Sequence, residues 1–191
     1  MPFLTRELID LMGFSAVGNN VQISDKASFY NINQISIGNN VRIDDFCVFS
    51  AGDGGIYIGD YVHIAVGVTV IGAGKITISS FCGLSSRVAI YSSSDDYSGL
   101  VMTNPTIPAQ YKRVAHANVF LGKHVIIGSG SIILPGVTLE NGVAVGALSL
   151  IAKDCSAFGI YAGSPAKRIK ERSKNLLQLE EKFLSHNTPT N

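Results

Sequence analysis

The chain has 191 residues, which is long enough for one domain that buries most of the surface its unfolded form exposes. Its 15 Lys and Arg residues nearly balance 14 Asp and Glu residues. A net charge of +1 lacks the attraction that a nucleic acid or an anionic membrane requires. No apolar run approaches the roughly 20 residues of a membrane span, and no secretion signal opens the chain, so we predict a cytoplasmic protein without membrane insertion.

The first predicted element is a short amphipathic helix. Thr5 is its N-cap, Leu8 and Ile9 share one face, and Gly13 ends it. Residues 1–19 therefore form a segment that caps the open end of the domain that follows.

An aliphatic or aromatic residue recurs every six positions in residues 20–163. The series comprises Ile37, Ile43 and Phe49; Ile58, Ile64 and Val70; Ile78, Leu84 and Ile90; and Leu121, Ile127, Ile133, Leu139, Val145 and Ile151. Helices repeat apolar positions at three and four, and strands at two, so neither explains this period. Three such hexads make one triangular coil of about 18 residues. The pattern predicts an all-β, parallel β-helix.

The three cysteines all lie four residues after one of these aliphatic or aromatic markers. Cys47, Cys82 and Cys155 are therefore predicted to be small fillers that face the interior. Their odd number and lack of pairing predict neither a disulfide framework nor a zinc site, which fits a reducing compartment.

The hexads are interrupted once, by a loop over residues 92–118 that contains SSSDDYSG, TNPTIP and QYKRVAHAN. Loops of this length in a compact solenoid are usually functional. Tyr97 and Met102 argue against disorder. We therefore predict an ordered arm extruded from the β-helix.

The C-terminal segment, residues 164–191, is predicted to be a helix followed by a tail. Ser164 and Pro165 begin the helix, and disorder is expected from Asn187 onward. The apolar positions at helical spacing are Ile169, Leu176, Leu177, Leu179, Phe183 and Leu184.

The hexads, the extruded loop, and the closing stretches GKHVIIGSGSIILPGVTLENGVAVGALSLIAKD and YAGSPAKRIK resemble the hexapeptide-repeat acyltransferases. The resemblance implies a left-handed β-helix and a homotrimer with active sites between subunits. It also implies acetyl-CoA, or another short acyl-CoA, as co-substrate, with no metal. Family contacts with the coenzyme would fall here on Ser129, Ala147, Ala152, Lys153, Lys167 and Lys170.

The loop departs from the O-acetyltransferases of this family, which usually carry a catalytic histidine there. Asp95 and Asp96 stand in its place. A hydroxyl acceptor needs a base to remove its proton, whereas an unprotonated amine attacks a thioester more readily. IYSSSDDYSG and MTNPTIP resemble the branch that acylates dTDP-linked amino-dideoxy sugars, with surface-glycan synthesis as the implied setting. In that branch Asp95 would orient the amine or take up its proton.

Other candidate residues for the acceptor lie on the coils and in the loop. The candidates for binding a nucleotide-sugar substrate are Asp44, Asp45, Ser85, Asp96 and Tyr97. His63, one residue before a marker, is the base expected for a hydroxyl acceptor, and the sequence leaves open whether Asp95, His63 or neither is the base.

Three alternative functions stay open. One is an O-acetyltransferase for a sugar, polysaccharide or antibiotic hydroxyl, with His63 as base. Another is a metal hydratase using His63, His116 and His124, although their spacing is unsuited to metal binding. A third, a scaffold without chemistry, gives no reason for the coenzyme-contact set.

Overall fold

Short strands of two to five residues alternate with turns along most of the chain. The structure is a computed structural model that describes residues 2–187. Helix α1 spans Arg6–Leu11. The next four coils are formed by β1 (Ala16–Val17), β2 (Gln22–Ile23) and β3 (Ser28–Tyr30); β4 (Ile35–Ile37), β5 (Arg42–Ile43) and β6 (Val48–Ala51); β7 (Ile56–Ile58), β8 (His63–Ile64) and β9 (Thr69–Gly72); and β10 (Ile76–Ile78), β11 (Gly83–Leu84) and β12 (Ala89–Tyr91).

The arm leaves the solenoid after the fourth coil, and two more coils follow it. Its hairpin is β13 (Ser93–Asp95) with β14 (Val114–His116). The later strands are β15 (Val119–Leu121), β16 (Ile126–Ile127) and β17 (Ile132–Ile133); β18 (Thr138–Leu139), β19 (Ala144–Val145) and β20 (Leu150–Ile151); and β21 (Gly159–Ala162) and β22 (Lys167–Glu171). Helix α2 spans Asn175–Asn187.

The coils stack into three parallel sheets, which form the three faces of the solenoid. The first face runs β1-β4-β7-β10-β15-β18, the second β2-β5-β8-β11-β16-β19-β21, and the third β3-β6-β9-β12-β17-β20. Each coil satisfies the backbone groups of the next, as in the 2.9 Å bond from Asp44 N to Ile64 O. The predicted parallel β-helix of hexapeptide repeats is confirmed.

The interior is one continuous aliphatic column. None of the fifteen marker residues predicted from the period of six is more than 5% exposed. Cys47, Cys82 and Cys155 are buried among them, as predicted, and burial raises the pKa of the Cys82 thiol to about 12. No coil could bury its apolar residues without its neighbours, so stability depends on the stack.

The solenoid begins earlier than the sequence predicted. Residues 1–19 were expected to be only a capping helix, yet β1 at Ala16–Val17 already pairs with β4. Val17, Ile23 and Phe29 continue the six-residue spacing of this first coil. It was missed because a 3₁₀ turn at Ile32–Gln34 interrupts the register before the next coil.

Helix α1 caps the open end of the first coil, as predicted. The Thr5 hydroxyl accepts a 3.4 Å hydrogen bond from Leu8 N, and Ile9 is 1% exposed against the core. Leu8 remains half exposed, so the apolar face of α1 that packs on the first coil is narrower than predicted.

The predicted C-terminal helix starting at Ser164 is wrong in its first part. Residues Lys167–Glu171 form β22, which runs antiparallel to β21 and pairs Gly159 with Glu171. This strand covers the last open sheet edge of the second face, which would otherwise expose unpaired backbone groups. The helix begins only at Asn175. Disorder predicted for residues 188–191 concerns residues outside those the structure describes, and Asn187 itself belongs to α2.

Helix α2 packs against a column of aromatic side chains at one corner of the solenoid. Tyr61 and Phe81 stack with 4.9 Å between ring centroids, and the His124 ring stacks on Phe81 at 5.1 Å. Phe183 of α2 meets Tyr61 edge-on at 5.2 Å. Glu180 of α2 is 2.7 Å from His124 Nε2. Between residues 2 and 187, no helix is long and apolar enough to span a membrane.

The attachment of α2 should weaken in acid. Burial raises the pKa of Glu180, but hydrogen bonds from Lys123 and His124 outweigh it and hold the pKa below its usual 4.5. The carboxylate therefore stabilises the docked helix above pH 4.5, and this contribution is lost as pH falls through the lowered pKa. Hydrogen exchange of α2 at decreasing pH should show this loss. We expect Glu180→Gln to remove the pH dependence and the exposed neighbour Glu181→Gln to keep it.

Candidate active site

The outward-facing residues of the second face form a row along the solenoid. They are the residues one position before each buried marker, because alternate side chains in a strand point to opposite faces. Register places Arg42 beside His63, His63 beside Gly83, and Gly83 beside Ile126. The row thus brings a cation, an imidazole and an unobstructed stretch of backbone together.

An open cleft of ≈ 370 Å³ lies over the middle of this row. Its lining residues are His63, Ala65, Gly83, Leu84, Ser85, Ser86, Ile126 and Ser129. Gly83 has no side chain and so leaves the cleft open. The space above it is free, because a Cβ at this position would meet only Ile126 Cγ1, at 3.9 Å. Three residues predicted for different roles, His63, Ser85 and Ser129, therefore share one cavity.

Asp44 links the two basic side chains of the row. Its Oδ1 accepts a 2.7 Å hydrogen bond from Arg42 Nε, and its Oδ2 lies 2.9 Å from His63 Nε2. Burial raises the pKa of Asp44, but the bonds to Arg42 and His63 together outweigh it, so the pKa is lower than usual. Asp44 is thus a buried, ionised carboxylate beneath an exposed imidazole.

The predicted coenzyme contacts occupy the C-terminal half of the solenoid. Ala152, Lys153 and Lys167 line a second cavity of ≈ 310 Å³ at its end. Ala147 stacks on the coil of Ser129, whose carbonyl accepts a 2.9 Å bond from Leu148 N. Lys170 lies apart from this cavity, on β22 opposite Ile160. Both lysines of the GSPAKRIK stretch therefore stand on a strand rather than on the predicted helix.

The arm is ordered, as predicted, and carries its candidates away from the cleft. Asp95, Asp96 and Tyr97 line a separate concavity of ≈ 460 Å³ with Met102. Hydrogen bonds from Ser98 lower the pKa of Asp96, whose Oδ1 accepts from Ser98 N at 2.6 Å. Within one chain, Asp95 and His63 thus line different cavities.

Asp45 faces the preceding coil. Its carboxylate accepts a 2.5 Å hydrogen bond from the Ser24 hydroxyl and lies 3.3 Å from Lys26 Nζ. The Ser24 bond is the main cause of the lowered pKa of Asp45. Its role in binding substrate stays a prediction, because Asp45 does not line the cleft.

Two other histidines, His116 and His124, have partners away from the cleft. His116 Nδ1 lies 2.8 Å from the Ser93 hydroxyl across the arm hairpin, and His124 belongs to the contact with α2. In the part of the chain that the structure describes, no group of three His, Cys, Asp or Glu side chains is arranged to hold a metal ion.

Sequence reasoning missed three residues of the outward row: Arg42, Gly83 and Ile126. Each lies at the position of its hexad that His63 occupies in its own, one residue before a marker. Reading that column as one outward row would have found them.

No protein-family model matches the chain. A dTDP-4-amino-4,6-dideoxy-D-glucose acyltransferase from Escherichia coli is 59% identical over 183 residues, which are 96% of this chain and 95% of that protein.

Two similar solved structures are of AntD, an N-acyltransferase from Bacillus cereus. A mutant in complex with dTDP-4-amino-4,6-dideoxyglucose and coenzyme A is 45% identical with a TM-score of 0.93, covering 96% of this chain and 98% of that chain. AntD in complex with dTDP and 3-hydroxybutyryl-CoA is 46% identical, also with a TM-score of 0.93, covering 97% and 98%.

Proposed function

Because the chain belongs to the hexapeptide-repeat acyltransferases, in the group of acyl-CoA-dependent N-acyltransferases, we propose that its acceptor is the amino group of a dTDP-linked 4-amino-4,6-dideoxy sugar. The observation that carries this proposal is the likeness, over 96% of the chain, to an enzyme bound to both coenzyme A and that amino sugar. The acyl group is acetyl or another short acyl group.

The donor would lie along the second face, from the C-terminal end toward the cleft. Pantetheine is a chain of amides that can bond to backbone groups, which fits the positions of Ser129, Ala147 and Ala152. The nucleotide phosphates need cations, and Lys153 and Lys167 both line the far cavity, with Lys170 three residues after Lys167 on β22. The thioester would then reach the cleft over Gly83.

The acceptor site would be completed by a neighbouring subunit of a homotrimer. Asp95 and His63 line different cavities of one chain. The arm also exposes large apolar side chains, with Tyr97 92% and Leu100 83% exposed, which favours an interface there. In a cyclic trimer, the arm of one subunit can bring Asp95, Asp96 and Tyr97 to the cleft of the next.

The spacing of a serine and an aspartate supports roles for both residues in the site. Mutants of AntD replace one serine and one aspartate that lie ten positions apart. Ser85 and Asp95 have the same separation here. We propose that Ser85 contacts the reacting groups from the cleft and that Asp95 holds the amine, while a backbone N–H of the cleft stabilises the oxyanion.

The same proposal includes a cytoplasmic location and a role in building surface glycans such as the O-antigen of lipopolysaccharide. Three free, buried cysteines fit a reducing compartment.

The test is a coenzyme A release assay with acetyl-CoA as donor. We expect turnover with a dTDP-linked 4-amino-4,6-dideoxy sugar and none with its 4-hydroxyl counterpart or with simple galactosides. Turnover with hydroxyl acceptors that disappears in His63→Ala would instead establish O-acyl transfer. Mild hydroxylamine, which cleaves esters and leaves amides intact, distinguishes the amide from an ester on a ring hydroxyl of the same sugar.

A further inference from the structure

We infer that Asp44 is a positioning residue: held by Arg42, it fixes His63 so that Nδ1 faces the acyl-transfer cleft as the proton acceptor. This inference rests on the proposed function and adds to it the route by which the proton leaves the attacking amine. It also changes the role expected for Asp44, which was predicted to bind substrate directly.

The burial of the Asp44 and His63 side chains fits this division of roles. The Asp44 side chain is 7% exposed, whereas that of His63 is 53% exposed. A group covered by its neighbours cannot easily meet a substrate, but it can hold the group above it. Asp44 is not among the residues that line the cleft, and His63 is.

The hydrogen bonds determine which nitrogen of His63 is available. An ionised carboxylate only accepts hydrogen bonds, so Nε2, at 2.9 Å from Asp44 Oδ2, must carry the proton. In the neutral ring, Nδ1 then has the free lone pair. Nδ1 has no hydrogen-bond partner among residues 2–187.

Arg42 fixes the orientation of the Asp44 side chain. A guanidinium can only donate, so its 2.7 Å bond requires an oxygen at the Oδ1 position of Asp44. Arg42 and Asp44 are the charged side chains bonded to or facing His63 from the preceding coil. On the following coil, its register partner is Gly83, which leaves room for an acceptor, with the Ser85 hydroxyl in the same cleft.

The proposed step balances as follows. The neutral amine of the sugar attacks the thioester carbon, a C–N bond forms, and the carbonyl electron pair moves to oxygen. His63 Nδ1 takes one proton from the resulting ammonium. The C–S bond then breaks as the carbonyl re-forms, and the proton passes from His63 to the leaving sulfur. The products are the amide and coenzyme A thiol, with His63 returned to its starting state.

The decisive variant is Asp44→Asn. Because Arg42 demands an oxygen, the asparagine must turn its NH2 group toward His63 Nε2. Nε2 then becomes an acceptor and the proton moves to Nδ1, which can no longer accept one. Since proton acceptors contribute about 10²- to 10⁴-fold, we expect kcat to fall about 100-fold with the KM of both substrates nearly unchanged.

Two further variants separate this role from a structural one. Asp60→Asn changes another partly buried carboxylate, which accepts hydrogen bonds from Asn39 and does not line the cleft; we expect its kcat to remain near that of the wild type. Arg42→Leu combined with Asp44→Asn lets the amide rotate, so kcat should partly recover relative to Asp44→Asn alone. Added imidazole should partly restore His63→Ala.

The outcomes are distinguishable from failure of the proposed function. If the wild type does not acylate the dTDP-linked amine, the proposed function fails. If the wild type does so while Asp44→Asn keeps its kcat, or loses it only through a raised KM, the positioning role is overturned and the function stands. Loss of kcat in Asp44→Asn without recovery in the double variant or by imidazole in His63→Ala would reduce Asp44 to a structural residue.

Discussion

Mixing Asp95→Ala subunits with His63→Ala subunits should restore about a quarter of wild-type activity, although each variant alone should lose at least about 100-fold. If each active site takes His63 from one subunit and Asp95 from its neighbour, a randomly mixed trimer contains sites with both native residues. In an equal mixture each of the two residues of a site is native with a probability of one half, so both are native in about one site in four. Co-expression with two different affinity tags, followed by the coenzyme A release assay, measures this.

The matched control mixes two variants of the same face. Asp44 and His63 belong to one chain and are 2.9 Å apart, so Asp44→Asn and His63→Ala should not complement each other. The subunit that supplies this face to a site would always carry either the Asp44 change or the His63 change. Restored activity in this control, or none with the Asp95 and His63 pair, would contradict an active site shared between subunits.

The fold was readable from the sequence because one physical requirement repeats through it. Every coil must present an inward aliphatic side chain at the same point of its turn, so Ile64 and Leu84 lie in the same column although 20 residues separate them. The extruded arm could be recognised by the same logic, as the segment where that requirement stops.

Features that do not repeat escaped the same reasoning. Lys167–Glu171 has no hexad, and its strand exists because the last sheet edge needs a partner, which is a property of the assembled solenoid. The first coil was hidden because a 3₁₀ turn at Ile32–Gln34 shifts its register.

The site was predicted as a set of residues, but their grouping was not. His63, Ser85 and Ser129 were each chosen for separate reasons and turn out to share one cleft. The bond between Asp44 and His63 joins positions 19 apart, on neighbouring coils. Only a register counted across the coil boundary, including the three extra residues between Phe49 and Ile58, would have brought them together.

Alanine at Gly128 should destabilise the protein by about 3 kcal/mol, whereas alanine at Gly83 should change stability by less than about 0.5 kcal/mol. A Cβ on Gly128 would stand 2.7 Å from the carbonyl carbon of Gly146 and 2.8 Å from the Cα of Ala147. These are backbone atoms of the next coil, which cannot move without breaking the bond from Gly128 N to Val145 O. A Cβ on Gly83 meets only a side chain, at 3.9 Å.

The two glycines lie on the same face, so the pair separates stacking from catalysis. We expect the midpoint temperature of thermal unfolding to be well below that of the wild type for Gly128→Ala and close to it for Gly83→Ala. Kinetic measurements should show the effect of Gly83→Ala. This variant keeps its stability but raises the KM of the acceptor, because the methyl group enters the cleft that Gly83 leaves open. Equal stability losses in both variants would mean that the second face is held by its backbone packing throughout, with no space set aside for a substrate.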